Sequence, residues 1–251
     1  MIYDLIKNNI GGINVLLREF ELIIEYQNDE RVISDLMLKN NLVYSEASVL
    51  YYNLNWKEKC RKFSLETRCI TSMFARLFSG FKTQNEWKIL VQCCDKVFDD
   101  RVLSYGGVIS TQVKLNYANF CRLSEKDKKT CALELLMNGI QKIASIKKWN
   151  LEPFISVKEQ IISLNYNNTW TWKSIRKNSM EVKVICQHCV DNVAIFLIIN
   201  DINGNTILDE KVITELPDEW AYSKYLGDIK IEKNKISLVD KKKKIYKSFV
   251  I

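Results

Sequence analysis

The chain has 251 residues, 47% hydrophobic and 11% aromatic, and a formal net charge of +7 from 37 basic and 30 acidic side chains. That length and apolar content can bury a sizeable core, as one large domain or two modest ones, and the charge carries none of the strong bias of a dedicated nucleic-acid domain. No apolar run approaches the ~20 residues that a membrane-crossing helix needs. Met1–Lys7 lacks the basic-then-apolar order of a signal peptide. Eight cysteines without regular spacing, two of them adjacent at Cys93 and Cys94, read as scattered thiols of a reducing compartment. A cytoplasmic protein is expected. Two prolines and eight glycines leave no linker or low-complexity tract.

In chain order, Val15 to Tyr26 fits a helix or a long strand, and Val49 to Trp56 reads as a strand. From Ser64 onward, Leu65, Cys69, Ile70, Met73, Phe74, Leu77 and Phe78 recur at helical spacing, with Ser64 as N-cap and Gly80 as stop, which predicts a helix over 64–79. Trp87, Ile89, Val91 and Cys93 alternate with more polar neighbours, as do Ile109, Val113, Leu115 and Tyr117. Period two predicts a strand pair, with Asp99, Asp100, Gly106 and Gly107 in the connection. Leu133, Leu136, Ile140, Ile143 and Ala144 predict a second helix over 124–148, capped by Ser124 and closed by Lys147 and Lys148, whose cations suit the dipole.

After Leu164 the texture changes to short β-type runs: Glu181–Cys186, Asn192–Asn200, Thr206–Ile213, Ile229–Glu232, Lys235–Val239 and Ile245–Val250. Asn203-Gly204 marks a hairpin. Val193 to Ile199 is apolar on both faces and should be a central strand, while the last three runs alternate and should be half-exposed. The expected fold is α+β: a mixed helix and strand part over 1–163, then an antiparallel β-meander over 164–251, packed on the first as one compact unit.

Candidate chemistry is concentrated in one window. His188, the only histidine, sits in Cys186-Gln187-His188-Cys189, the only CxxC, so any triad or HExxH site would have to use this one imidazole. No GxGxxG, GxxxxGK[ST] or GxSxG occurs. A structural zinc site wants four ligands, and a second pair with sensible spacing is missing, so neither a metal nor a cofactor is expected. Free thiols and a histidine at a strand end are the plainer reading, with a zinc- or thiol-dependent enzyme as the competing one. Carboxylate pairs such as Asp99-Asp100 and Asp209-Glu210 stand beside no acid, base or metal partner and read as surface charges.

Two segments suit a partner. Lys57, Lys59, Arg61, Lys62 and Arg68 interleave with Trp56 and Phe63. Such a mixture can meet phosphates and bases or an acidic protein, and it can equally be a solvated helix face. Trp170 and Trp172, beside the polar run Asn165–Thr169, have an interface texture, or else pin the join between the two parts. Lys241-Lys242-Lys243-Lys244 reads as a hairpin tip whose lysines discourage edge-to-edge pairing, in preference to a phosphate-binding patch.

The stretch from Gly106 to Phe154 runs as a strand ending in Val113-Lys114-Leu115-Asn116-Tyr117, a cap at Leu123-Ser124-Glu125-Lys126, the helix Leu133-Glu134-Leu135-Leu136-Met137-Asn138-Gly139-Ile140, and the exit Trp149-Asn150-Leu151-Glu152-Pro153-Phe154. In this it resembles immunity proteins of bacterial contact-dependent growth inhibition and polymorphic toxin systems. The resemblance implies a stoichiometric inhibitor without catalysis that binds a cognate toxin domain, often a nuclease, one to one and occludes its active site. Many inhibitors of nucleases are acidic because they mimic the substrate, whereas this chain is basic, so occlusion would rest on shape or on an acidic toxin domain. The residues expected to meet that partner are Trp56, Lys57, Lys59, Arg61, Lys62, Arg68, Trp170 and Trp172. The alternative function is nucleic-acid binding through the basic 57–76 region.

Overall fold

A computed structural model describes residues 14–177 and 179–250; the Met1–Lys7 segment lies outside them. Helices concentrate before Ser163 and antiparallel sheets follow, so the fold class is α+β. The chain divides into two compact units, residues 1–163 and 164–251.

In the first unit a short ladder joins β1 (Val15–Leu16) to β3 (Lys82–Thr83). The main sheet has the order β2 (Glu19–Ile24), β4 (Lys88–Cys94), β6 (Val108–Lys114), β5 (Leu103–Tyr105). β2, β4 and β6 are parallel, and β5 closes the edge antiparallel. Parallel neighbours need a long crossover. Between β2 and β4 it consists mainly of three helices, α1 (Glu30–Asn40), α2 (Tyr44–Asn55) and α3 (Lys57–Leu77). Alternation decides which face is covered: Phe20, Leu22 and Ile24, then Ile89, Val91 and Cys93, then Ile109, Thr111 and Val113 are buried on one side of the sheet. α3 and α5 (Glu125–Lys147) lie against that side and against each other. The contact of α3 is aromatic, with the Phe20 and Phe74 rings 4.7 Å apart, edge to face. α5 comes close at Gly139, where a Cβ would sit 2.3 Å from Cγ2 of Val91. The short α4 (Tyr117–Phe120) precedes α5, and α6 (Glu152–Ser163) follows it, docked by Phe154 between Phe78 and Phe81 at 4.7 and 5.0 Å.

Several sequence expectations change here. Val49 to Trp56 is not a strand but the second half of α2: Ala47 and Tyr51, one turn apart, bury against α1, and the Glu46 carboxylate accepts the Val43 N–H at 3.2 Å. Val15 to Tyr26 resolves into strands. The helix expected over 64–79 starts seven residues earlier, at Lys57, because Ser64 lies inside it and Trp56 separates it from α2. The helix expected over 124–148 is α5; Ser124 Oγ accepts the Asp127 N–H at 3.2 Å, and Lys148 ends it in the left-handed region at φ 59°. The predicted strand pair is real and its members are parallel neighbours.

The second unit holds two antiparallel sheets. One has the order β10-β9-β8-β7, where β7 is Asn168–Lys177, β8 Met180–His188, β9 Val193–Asp201 and β10 Thr206–Glu215. The other runs β11 (Asp228–Glu232), β12 (Lys235–Val239), β13 (Ile245–Val250). Val182, Val184, Ile195, Leu197 and Ile199 of the first sheet pack with Ile229, Ile231, Ile236 and Leu238 of the second in one core. The all-apolar Val193–Ile199 run is an internal strand, as its pattern predicts. The hairpin at Asn203-Gly204 is also present, with Gly204 at φ 86°. Between the sheets run α7 (Glu219–Tyr222) and a single 3-10 turn, Ser223–Tyr225. β7 was hidden in the sequence by its asparagines and threonines.

Candidate functional site

A ligand site in a parallel sheet lies beyond the carboxyl ends of its strands, where the chain turns away in different directions. Here that rim is a cleft. Ile24 ends β2, with Glu25 and Gln27 after it; Cys93 and Cys94 end β4, with Asp95 and Lys96 after them; Leu115 and Tyr117 follow β6; Trp56 and Lys59 close it from the start of α3. The cavity is about 130 Å³, well under the ~300–1,000 Å³ of pockets that enclose a drug-sized molecule. It has room for about one side chain.

The wall is rigid. Trp56 Nε1 donates to Tyr51 Oη at 3.1 Å, and the Tyr26 ring meets Trp56 and Tyr52 edge to face at 5.9 and 5.4 Å. Lys59 Nζ lies 5.2 Å from the centre of the Trp56 ring, a cation–π contact that places its charge at the mouth. On its other side Trp56, with Gln27, borders a shallow open depression lined by Asn28, Asp29, Glu30, Arg31 and Tyr51.

The floor favours neutral groups. Burial raises the Glu25 carboxyl above its ordinary value, opposed by the 2.7 Å hydrogen bond that Gln92 Nε2 donates to it. Burial also raises the thiol of Cys94, pushed further by Glu25 and Asp95, and lifts Cys93 well above the ordinary range; Cys60, outside the lining but with its Sγ 3.8 Å from Ile24 O, is raised by burial and by Glu25. Tyr117 is raised by burial and by its contact with Cys121. A thiol kept protonated is a poor nucleophile. What the cleft offers is hydrogen bonding and shape.

The predicted basic cluster divides around α3. At about 100° per residue, Lys57, Arg61 and Arg68 fall within about 40° of one another, while Lys59 and Lys62 point elsewhere. Lys57, Lys59, Arg61 and Lys62 are exposed and Arg68 is half-buried. Arg61 stands 4.0 Å from Glu58 and Lys62 4.0 Å from Glu66. Only Trp56 and Lys59 meet at the cleft. Trp170 and Trp172 belong to the second unit, on β7, half-buried against its core, with Trp172 at a register shift and Trp170 6.4 Å from the Tyr222 ring. Glu25, Gln27, Asp95, Lys96 and Tyr117 were missed in the sequence. Their common signal is position just past a strand end, which means something only once the strands are known to be parallel.

The Cys186–Cys189 window ends β8. His188 is buried, its ring 6.0 Å from Tyr222. Among the described residues no group of three or more His, Cys, Asp or Glu side chains is placed to hold a metal ion. No family model, curated protein or solved structure matches the chain. Among the described residues no helix is long and apolar enough to cross a membrane.

Cys186 makes one pH effect readable. Burial alone pushes its thiol up to about 12 from 9.0. The unfolded thiol therefore ionises at a pH where the folded one does not, so its contribution is complete below pH 9 and is lost as pH rises from 9 toward 12, by roughly 1.4 kcal/mol per pH unit. Urea unfolding followed from pH 8 to 10.5 should show this decline, to which the raised thiols of Cys93, Cys94 and Cys60 also contribute, and Cys186→Ala should make it shallower by roughly 1.4 kcal/mol per pH unit. An equally steep decline in the variant would assign the effect to other groups.

Proposed function

We propose that the chain is a non-catalytic binding protein that neutralises a partner protein, an immunity protein of a polymorphic toxin system that holds its cognate toxin domain one to one. The observation that carries this reading is the surface around Trp56. A small rigid cleft for a single side chain adjoins a helical hairpin with exposed apolar groups: Leu38 at 85%, Leu54 at 67%, Val43 at 61% and Val49 at 60% exposure. Val49 and Leu50, with Ser45, Glu46 and Asn53, line a further shallow groove along α2. Exposed apolar groups along a helical hairpin whose last residues lie beside a pocket backed by tryptophan make the kind of surface that interfaces use. Lys59 at the mouth supplies charge that speeds the encounter with an acidic face.

Binding to nucleic acid through residues 57–76 is supported less well, because the basic side chains spread around α3 and two of them stand beside carboxylates of the same helix. The test is co-expression with the toxin encoded in the adjacent gene, followed by co-purification and titration of toxin activity. Protection should reach completion at one equivalent, and Trp56→Ala or Leu54→Asp should speed dissociation at least tenfold, the size of a hot-spot loss. Rescue at far below one equivalent, or without a complex, would make the protein an enzyme and end this reading.

A further inference from the structure

The four-lysine turn of the second unit is fixed in place. Asp240 Oδ1 accepts the N–H groups of Lys242 and Lys244, each at 2.8 Å, and the Asp240 N–H donates to Lys244 O at 2.9 Å. Lys241 N–H donates to Lys224 O at 2.8 Å, tying the turn to the 3-10 turn after α7. Gly227 passes beneath it so closely that a Cβ would stand 2.1 Å from Asp240 O. All four lysines of the turn are exposed. Lys224 joins them on one side, and Trp220, four residues before Lys224, is 90% exposed.

Blocking edge pairing accounts for lysines along a strand, but it does not account for Lys243. That residue has φ 68°, in the left-handed region where glycine or asparagine is the economical choice. Lys148 and Lys233 also have positive φ, 59° and 37°, so the conformation by itself assigns no role, and what Lys243 adds here is its exposed charge. The turn presents four exposed ammonium groups, and Lys224 lies beside its backbone, with its own ammonium 3.4 Å from Glu215 and over the Tyr225 ring. Together with an exposed indole four residues before Lys224, they supply the two elements of single-strand recognition, cations for phosphates and a ring for a base to stack on. Asp218 and Glu219 directly precede Trp220. Sinking the indole into an anionic lipid surface would carry both carboxylates into a like-charged layer, whereas a base stacked on the exposed ring leaves them in water.

We propose that this end of the second unit docks single-stranded nucleic acid, with Lys224 and Lys241–Lys244 on successive phosphates and Trp220 under a base. The proposal is independent of the toxin reading. It is tested by fluorescence anisotropy with a labelled single-stranded oligothymidine over a range of salt. The logarithm of affinity should fall against the logarithm of salt with a slope of about −3, and with Lys241, Lys242, Lys243 and Lys244 all changed to Ser the slope should shrink to about −1. Trp220→Ala should weaken binding about tenfold at fixed salt and leave the slope unchanged. Lys243→Gly should weaken binding while raising the melting temperature, a combination that a purely structural lysine would not give. An unchanged slope in the quadruple variant, confirmed folded by circular dichroism, would overturn the proposal, as would capture by phosphatidylserine vesicles with none by the oligonucleotide. Toxin protection should be untouched by all three variants.

Discussion

Replacing Lys128 with alanine is expected to lower the unfolding free energy by about 3–5 kcal/mol, the cost of stranding a charge whose partner is removed inside a protein. Lys128 Nζ lies 2.8 Å from Glu66 Oε1 between α3 and α5, with only 12% and 13% of the two side chains exposed. The ammonium also stands 5.7 Å from the centre of the Phe120 ring. Without it the Glu66 carboxylate still has Lys62 nearby, at the longer distance of 4.0 Å. Changing both members to apolar residues, Glu66→Leu with Lys128→Met, should recover most of the loss, because it removes both desolvation penalties together. Urea unfolding of the single and double variants decides it; a Lys128→Ala loss under about 1 kcal/mol would class the pair with exposed ion pairs.

The second large effect is expected at Gly139. Glycine in mid-helix costs about 1 kcal/mol against alanine, and α5 accepts that cost to bring its backbone down on Val91. Gly139→Ala should therefore destabilise by about 1–3 kcal/mol through overpacking, in spite of its better helix propensity. The clash involves the methyls of Val91, with Cβ to Cγ2 at 2.3 Å and to Cγ1 at 2.9 Å, so the double variant Gly139→Ala, Val91→Ala should cost less than the sum of its parts. Additive losses in a double-mutant cycle would mean that the helix simply moves away from the sheet.

How far these features could be read in advance depended on the range of the interactions that make them. α5 was legible almost to the residue because its periodicity, its Ser124 cap and its basic last turn are all local. The internal strand Val193–Ile199 was legible because a run apolar on both faces has no solvent side. The N-terminal half of the cleft was not, since Leu50, Tyr52 and Leu54 of α2, followed by Trp56, fall in an order that reads equally well with period two. Its true period appears only when Ala47 and Tyr51 meet α1. Asp95 and Lys96 gave no local sign at all. Trp56 and Lys59 were singled out for composition, and it is the end of the sheet that gives them a common place; the same reasoning grouped Arg68 and Lys62 with them, which the helix turns elsewhere.

The parallel pairing of β2 also sets an order of events in synthesis. Glu19 lies opposite Lys88 and Ile24 opposite Cys93, so when β2 leaves the ribosome its neighbour has yet to be made. α1, α2 and α3 emerge in the interval and are complete in themselves, but Phe20 and Leu22 stay uncovered until α3 and β4 arrive. Pairings across such a span close slowly, and an uncovered apolar strand meanwhile is a template for the wrong neighbour. Glu19, Glu21 and Glu25, spaced through this strand and its exit, are charges of the kind that discourage an unpaired strand from joining another chain edge to edge.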